Sequence, residues 1–179
     1  MSTRPGTTSR YCAKCAKAIA AATTNVLAGW WQDLPVKEAD YWHSARPLAG
    51  GQAGRDHSYF SIVVVDLAAS MPYVSVQRTN LYNRAAEQPG MHQIDFESED
   101  FNQKFSVTAP DEELAIKLID AGMIQWLMST DGEFAFEIGG CNLLVSCDQL
   151  PVTGLVRLFD AATGFTDHIP HVVWAEYGA

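Results

Sequence analysis

The sequence predicts an α+β fold: one domain with a largely antiparallel sheet of roughly seven or eight strands, packed with two main helices. Three observations lead there. Hydrophobic residues make up 47% of the 179, enough to bury a core, and charged residues only 18%. Short runs that alternate apolar and polar residues fill the chain up to residue 108, broken by Gly, Pro, Asp and Asn. The long stripes at helical spacing come after residue 108, so the order is a run of strands, then helix, hairpin and helix.

In chain order, residues 1–24 read as a flexible basic arm. Within it, residues 11–24 are Ala-rich and can form a short helix whose Ala face buries little. The globular domain spans residues 25–179. Residues 26–31 and 36–42 pair as strands around a turn at Gln32, Asp33, Leu34 and Pro35. Residues 45–55 hold Pro47, Gly50, Gly51 and Gly54 and read as a loop. Residues 59–67 are the strongest strand, apolar on both faces, which predicts a central strand covered on each side. A further strand follows at 73–77, a helical turn at 80–87 and a short strand at 92–96. Ser98 caps a turn whose positive end meets Glu99 and Asp100. Residues 105–108 alternate as a strand.

Thr108, Ala109, Pro110 and Asp111 have capping-box spacing with Pro in the first turn. The helix they open buries Ala115, Leu118, Ile119, Met123, Trp126 and Leu127, with Gly122 weakening or bending it. Asp131 and Gly132 end it. Residues 134–138 and 141–147 then pair across a hairpin turn at Gly139 and Gly140. Asp148 caps a last helix that starts near Pro151 and buries Val152, Leu155, Val156, Phe159 and Ala162.

The net charge is −9, which argues against a nucleic-acid binder. The first 32 residues carry Arg4, Arg10, Lys14 and Lys17 and no acid; the remainder stands at −13. Such an arm is either a solvated tail or a docking element for an anionic surface. The start shows no secretory signal pattern, and residues 18–32 fall short of the roughly 20 apolar residues of a spanning helix. The expectation is a soluble, cytoplasmic protein with reduced cysteines and no transmembrane segment.

Residues 96–107 hold an acidic and Ser segment followed by Asp100, Phe101, Asn102, two residues, Phe105, one residue and Val107. This D-F-N-x-x-F-x-V block resembles a bacterial protein family of unknown function. Further pieces are similar to that family: Asn25 to Gly29 with Leu34 to Val36 and Asp40 to Trp42 as an opening hairpin, residues 111–128 as the main helix, and residues 168–174 as a closing I-P-x-x-V-W segment. The resemblance covers roughly residues 25–177. It implies no assigned activity. Many family members are tethered by an N-terminal membrane helix; this sequence departs there, and also at Gly122, where members often have Pro. The motif also reads as packing: Phe101 and Phe105 share one face of a turn, Val107 continues inward, and Asn102 closes a turn through its side chain.

Candidate chemistry is sparse. Cys12 and Cys15 form a C-x-x-C that resembles one knuckle of a zinc ribbon. Its second pair would be Cys141 and Cys147, which on one strand stand roughly 20 Å apart, too far to share an ion with each other. Zinc is therefore expected only if Cys12 and Cys15 find ligands elsewhere, such as a second chain. His168 and His171 flank Pro170, which prevents a helical metal pair. His43, His57 and His92 carry no signature. Asp95, Glu97, Glu99 and Asp100 cluster, but Glu99 and Asp100 suit the first turn of a short helix. No hydrolase, zincin, phosphate-loop or dinucleotide motif is present.

Adjacent Trp30 and Trp31 on a strand point to opposite faces, so one can be packed and the other solvent-facing. Trp31, Tyr41 and Trp42 form a possible contact patch. The function read from these features is a non-catalytic binding or protein-interaction module, its contacts made by the aromatic hairpin of residues 30–42 and the Gly-rich loop of 50–54. Two alternatives stay open. One is an enzyme of unrecognised type with a pocket built from Asp95, Glu97, His92, His168 and His171. The other is a membrane-surface module acting through the basic arm.

Overall fold

The computed structural model describes the backbone of residues 18–45, 57–79 and 90–178, and side chains from 22–43, 57–79 and 90–178. Strand β3 (His57–Arg78), 22 residues long, organises the sheet. Strand β2 (Leu34–Ala45) pairs antiparallel with its first half, from Val36 opposite Val65 to Ser44 opposite His57. Strand β1 (Ala18–Trp31) pairs with β2. Strand β6 (Ala135–Asp148) runs along the other edge of β3, from Asp148 opposite Phe60 to Phe136 opposite Val76. Strand β5 (Phe105–Ala109) therefore shares the β2 edge, further along, where Val107 faces Val76. The short β4 (His92–Ile94) lies outside β5. The described sheet thus has six strands, all antiparallel.

Six replaces the expected seven or eight because two pairs of expected strands fuse. Residues 59–67 and 73–77 are both β3, and residues 134–138 and 141–147 are both β6. Gly139 and Gly140 make no hairpin. They sit at an irregularity where β3 advances five residues, Asp66 to Met71, while β6 retreats two, Asn142 to Gly140. Gly140 takes φ 58°, which its lack of a Cβ permits. A second irregularity follows between Met71 and Val74. Across both, the buried set switches from odd positions (Val63, Val65, Leu67, Ala69, Met71) to Val74 and Val76, and on β6 from Phe136 and Ile138 to Leu143, Val145 and Cys147. A bulge shifts the period-two alternation by one, so each strand keeps one continuous apolar face.

β3 is central, but it is not covered equally on both sides. Ile62 and Val64 are half-buried and Asp66 is exposed on the face opposite the core. The arm and helix expected for residues 1–24 also change: residues 18–24 belong to β1, with Ala22 opposite Trp42 and Thr24 opposite Asp40. A strand partner overrides the helical preference of alanine.

Five α-helices are described: α1 (Glu99–Lys104), α2 (Glu112–Leu118), α3 (Ala121–Ser129), α4 (Leu155–Asp167) and α5 (His171–Tyr177). They replace the two main helices expected. The helix expected after residue 108 is two. Asp111, not Thr108, caps α2 by accepting from the Glu113 and Leu114 amides. Asp120 caps α3 by accepting from Met123 N–H at 2.9 Å. The break falls at Ile119 and Asp120, one turn before the expected bend at Gly122, because the aspartate captures an amide of the next helix.

The last helix has no side-chain cap from Asp148. Pro151 leads into a short 3-10 turn, Val152–Gly154, and then α4. Its buried stripe is Leu158, Ala161, Ala162 and Phe165; Val152 and Val156 are exposed. One contiguous core joins the sheet to the helices, from Val36 on β2 to Val173 on α5.

Candidate functional site at the β1–β2 edge

Among the described residues, the hairpin at the outer side of the sheet holds the longest run of exposed positions. β1 and β2 turn through Gln32 and Asp33, with Gln32 at φ 52°. Among the described residues β1 pairs with β2 alone, so its other edge presents backbone groups without a strand partner. Residues 22–30 are exposed on both faces of the ribbon. Val26 is 62%, Leu27 60% and Trp30 73% exposed. No charged residue occurs between positions 18 and 32.

Register places two rows of side chains on opposite faces. Leu27, Gly29 and Trp31 stand opposite Glu38, Val36 and Leu34 on the core-facing side. Trp31 stacks on Phe159 of α4, with ring centroids 5.0 Å apart and planes 24° from parallel. Gly29 supplies no side chain in that row, and a Cβ built there meets nothing within 4 Å. The gap is a groove of about 190 Å³ lined by Leu27, Gly29, Trp31, Val36, Glu38 and Phe159.

Two of the residues that line the groove carry polar groups, Trp31 and Glu38. Trp31 Nε1–H is buried with no acceptor among the described residues. Glu38 is 4% exposed, and no described group bonds its carboxyl. Its pKa is raised above the ordinary glutamate value of 4.5, by burial first and then by the negative charge of Asp40. Asp40 accepts from Asn25 Nδ2 at 2.8 Å. Asn25 occupies a bulge in β1, where three steps from Thr24 to Leu27 match two on β2, and it takes φ 53°. Lys37 points to the opposite face, where it pairs with Asp66 at 2.8 Å.

The residues proposed from sequence are dispersed. Trp31 and Trp42 share a face. Trp31 is the packed member of the Trp pair and Trp30 the exposed one. Trp42 meets His57 edge-on at 4.9 Å. Tyr41 lies on the other face, buried beside His43 and Phe60 at 5.9 and 6.3 Å. The three therefore do not form one surface. Cys12, Cys15, Gly50, Gly51 and Gly54 lie outside the described residues.

His168 caps α4 through Nδ1 and the Gly164 carbonyl at 2.7 Å and stacks on Trp126. His171 begins α5, His92 is exposed on β4, Glu97 is exposed, and Asp95 meets Gln93 at 3.4 Å. None of these lines the groove. Among the described residues, no three of His, Cys, Asp and Glu are placed to hold a metal ion. Trp30 lies at the start of the expected aromatic contact hairpin of residues 30–42, whereas Gly29 and Glu38 carried no expected role. The usable signals were a charge-free strand and a glycine inside it.

No family model matches the chain, and no curated protein matches it. Among solved structures it is similar to the crystal structure of the mycobacterial trehalose monomycolate transport factor A, TtfA. The TM-score is 0.54, over 83% of this chain and 74% of that one, at 11% identity. At that identity the likeness is one of fold. No helix among the described residues is long and apolar enough to cross a membrane.

Proposed function

We propose that this chain is a non-catalytic binding module that takes an extended segment of a partner protein along the outer edge of β1. The observation that carries this is the edge itself: nine consecutive exposed residues, Val26, Leu27 and Trp30 among them, on a strand with no charge. Sheet edges are ordinarily guarded against pairing by lysine, proline or a covering loop. An edge strand that carries neither lysine nor proline among the described residues suits strand addition, where main-chain hydrogen bonds supply affinity and side-chain pockets supply selectivity. The likeness to a protein named as a transport factor adds a fold precedent and carries no cargo over to this chain.

The test is hydrogen exchange on the full chain with a library of blocked octapeptides rich in Thr, Val, Ser and Ile. Binders should slow exchange along β1, and Trp30→Lys should lose them at unchanged stability. Binders that protect other elements, or a Trp30→Lys protein that binds as well as the parent, would overturn the reading.

A further inference from the structure

The groove at Gly29 lies one row inside the β1 edge, on the face covered by α4. We infer that it is a specificity pocket for a lysine side chain carried by the extended segment docked on β1. The inference rests on the reading of β1 as a docking edge and names what that edge selects.

Charge complementarity points to a cation. Glu38 lines the groove and Asp40 follows two residues on, on the same face of β2. The groove lining contains no cation, and Lys37, the one cation on β2, is held by Asp66 on the opposite face. A buried carboxylate beside a second carboxylate is costly until a positive group joins them. The raised pKa of Glu38 has that same origin.

The walls select an alkyl stem. Leu27, Val36, Trp31 and Phe159 are apolar, and they enclose about 190 Å³. A lysine side chain is four methylenes and an ammonium. Arginine is a poorer fit, since its planar head needs a fork of acceptors.

The docking edge, not the groove, distinguishes a peptide from a free amine: an alkylammonium can fill the groove but makes no main-chain hydrogen bonds to β1.

Gly29 offers a clean variant. A Cβ there meets nothing within 4 Å, and the backbone is not in the left-handed region, so Gly29→Val projects side-chain carbons into the groove and suits a strand better. The octapeptide library is divided by its central residue: lysine, norleucine, acetyl-lysine or arginine. Binding is read by a fluorescent label and by the Trp31 indole resonance, with n-butylammonium as the free-amine control.

The expected result is a preference for lysine over norleucine and acetyl-lysine of about tenfold or more. Glu38→Gln should abolish the preference. Gly29→Val should lose the lysine peptides while its melting temperature holds or rises. Equal binding of lysine and norleucine peptides overturns the pocket and leaves the docking edge standing. No peptide protecting β1 overturns both. Butylammonium binding as tightly as the lysine peptides overturns the peptide as the source of the ammonium.

Discussion

Asn102 shows how one side chain closes a loop. Its Oδ1 accepts from Phe96 N–H at 2.9 Å and its Nδ2 donates to the Phe96 carbonyl at 2.6 Å. The amide therefore substitutes for a strand partner at Phe96, just after β4. Phe101 and Phe105 beside it are buried and stacked at 5.2 Å, and Ser98 caps the turn. The D-F-N block is thus accounted for as a packing and capping unit. Asn102→Ala should cost about 1–3 kcal/mol, because both Phe96 backbone groups lose their partner; urea unfolding of the two proteins measures it. Glu38 makes the second residue-scale prediction. Its folded pKa is raised above the unfolded value, so its contribution to stability is fully present below about pH 4.5 and is lost as pH rises through the folded pKa. Asp40 is the charged neighbour on its own face, and Phe159 presents no charge from α4. Glu38→Gln should therefore melt higher than the parent at pH 7, with the difference shrinking toward pH 4. A difference that grows on acidification would reverse the sign of this account.

At the scale of elements, caps and close contacts decide where helices stop and how they meet. Asp120 divides one apolar stripe between α2 and α3 without moving it off the core, since Leu118, Ile119, Met123 and Leu127 all stay buried. Gly164 decides the approach of α4 to α3. A Cβ there would stand 2.6 Å from Trp126 Cζ2, and Trp126 is itself held between Phe136 and His168. Overpacking of this kind typically costs 1–3 kcal/mol. Gly164→Ala should therefore lower stability by about that amount despite the better helix propensity of alanine, by the same urea titration. A neutral or stabilising result would mean that Trp126 is free to shift.

Across the whole molecule, burial is uneven. β3 and β6 supply Val63, Val65, Val74, Val76, Phe136, Ile138, Leu143 and Val145 to the core, whereas residues 22–30 of β1 are exposed throughout. Local opening is easiest where buried apolar contact is least. The amides of β1 should exchange well before those of β3 and β6, and a docked peptide should remove much of that gap. Uniform exchange across the sheet would show that β1 is held as firmly as the centre. The same unevenness places the proposed contact surface at the least committed end of the fold, where adding a strand lengthens the sheet and leaves its core unchanged.

Local signals were sufficient wherever the cause was local. The α+β class, the β1–β2 pairing, the Ser98 cap, the Phe101 and Phe105 burial and the opposite facing of Trp30 and Trp31 all follow from alternation, spacing and short-range hydrogen bonding. What tertiary structure alone decided were the choices among locally equivalent options. Gly139 and Gly140 suit a hairpin or a bulge, and only the continuous partner β3 makes them a bulge. Ala18 to Thr24 suit a helix or a strand, and β2 makes them a strand. Either Trp30 or Trp31 can face the core, and Phe159, some 130 residues away in sequence, selects Trp31. The groove at Gly29 is decided in the same way. Its wall from α4 and the isolation of Glu38 are long-range facts, and no window of neighbouring residues contains them.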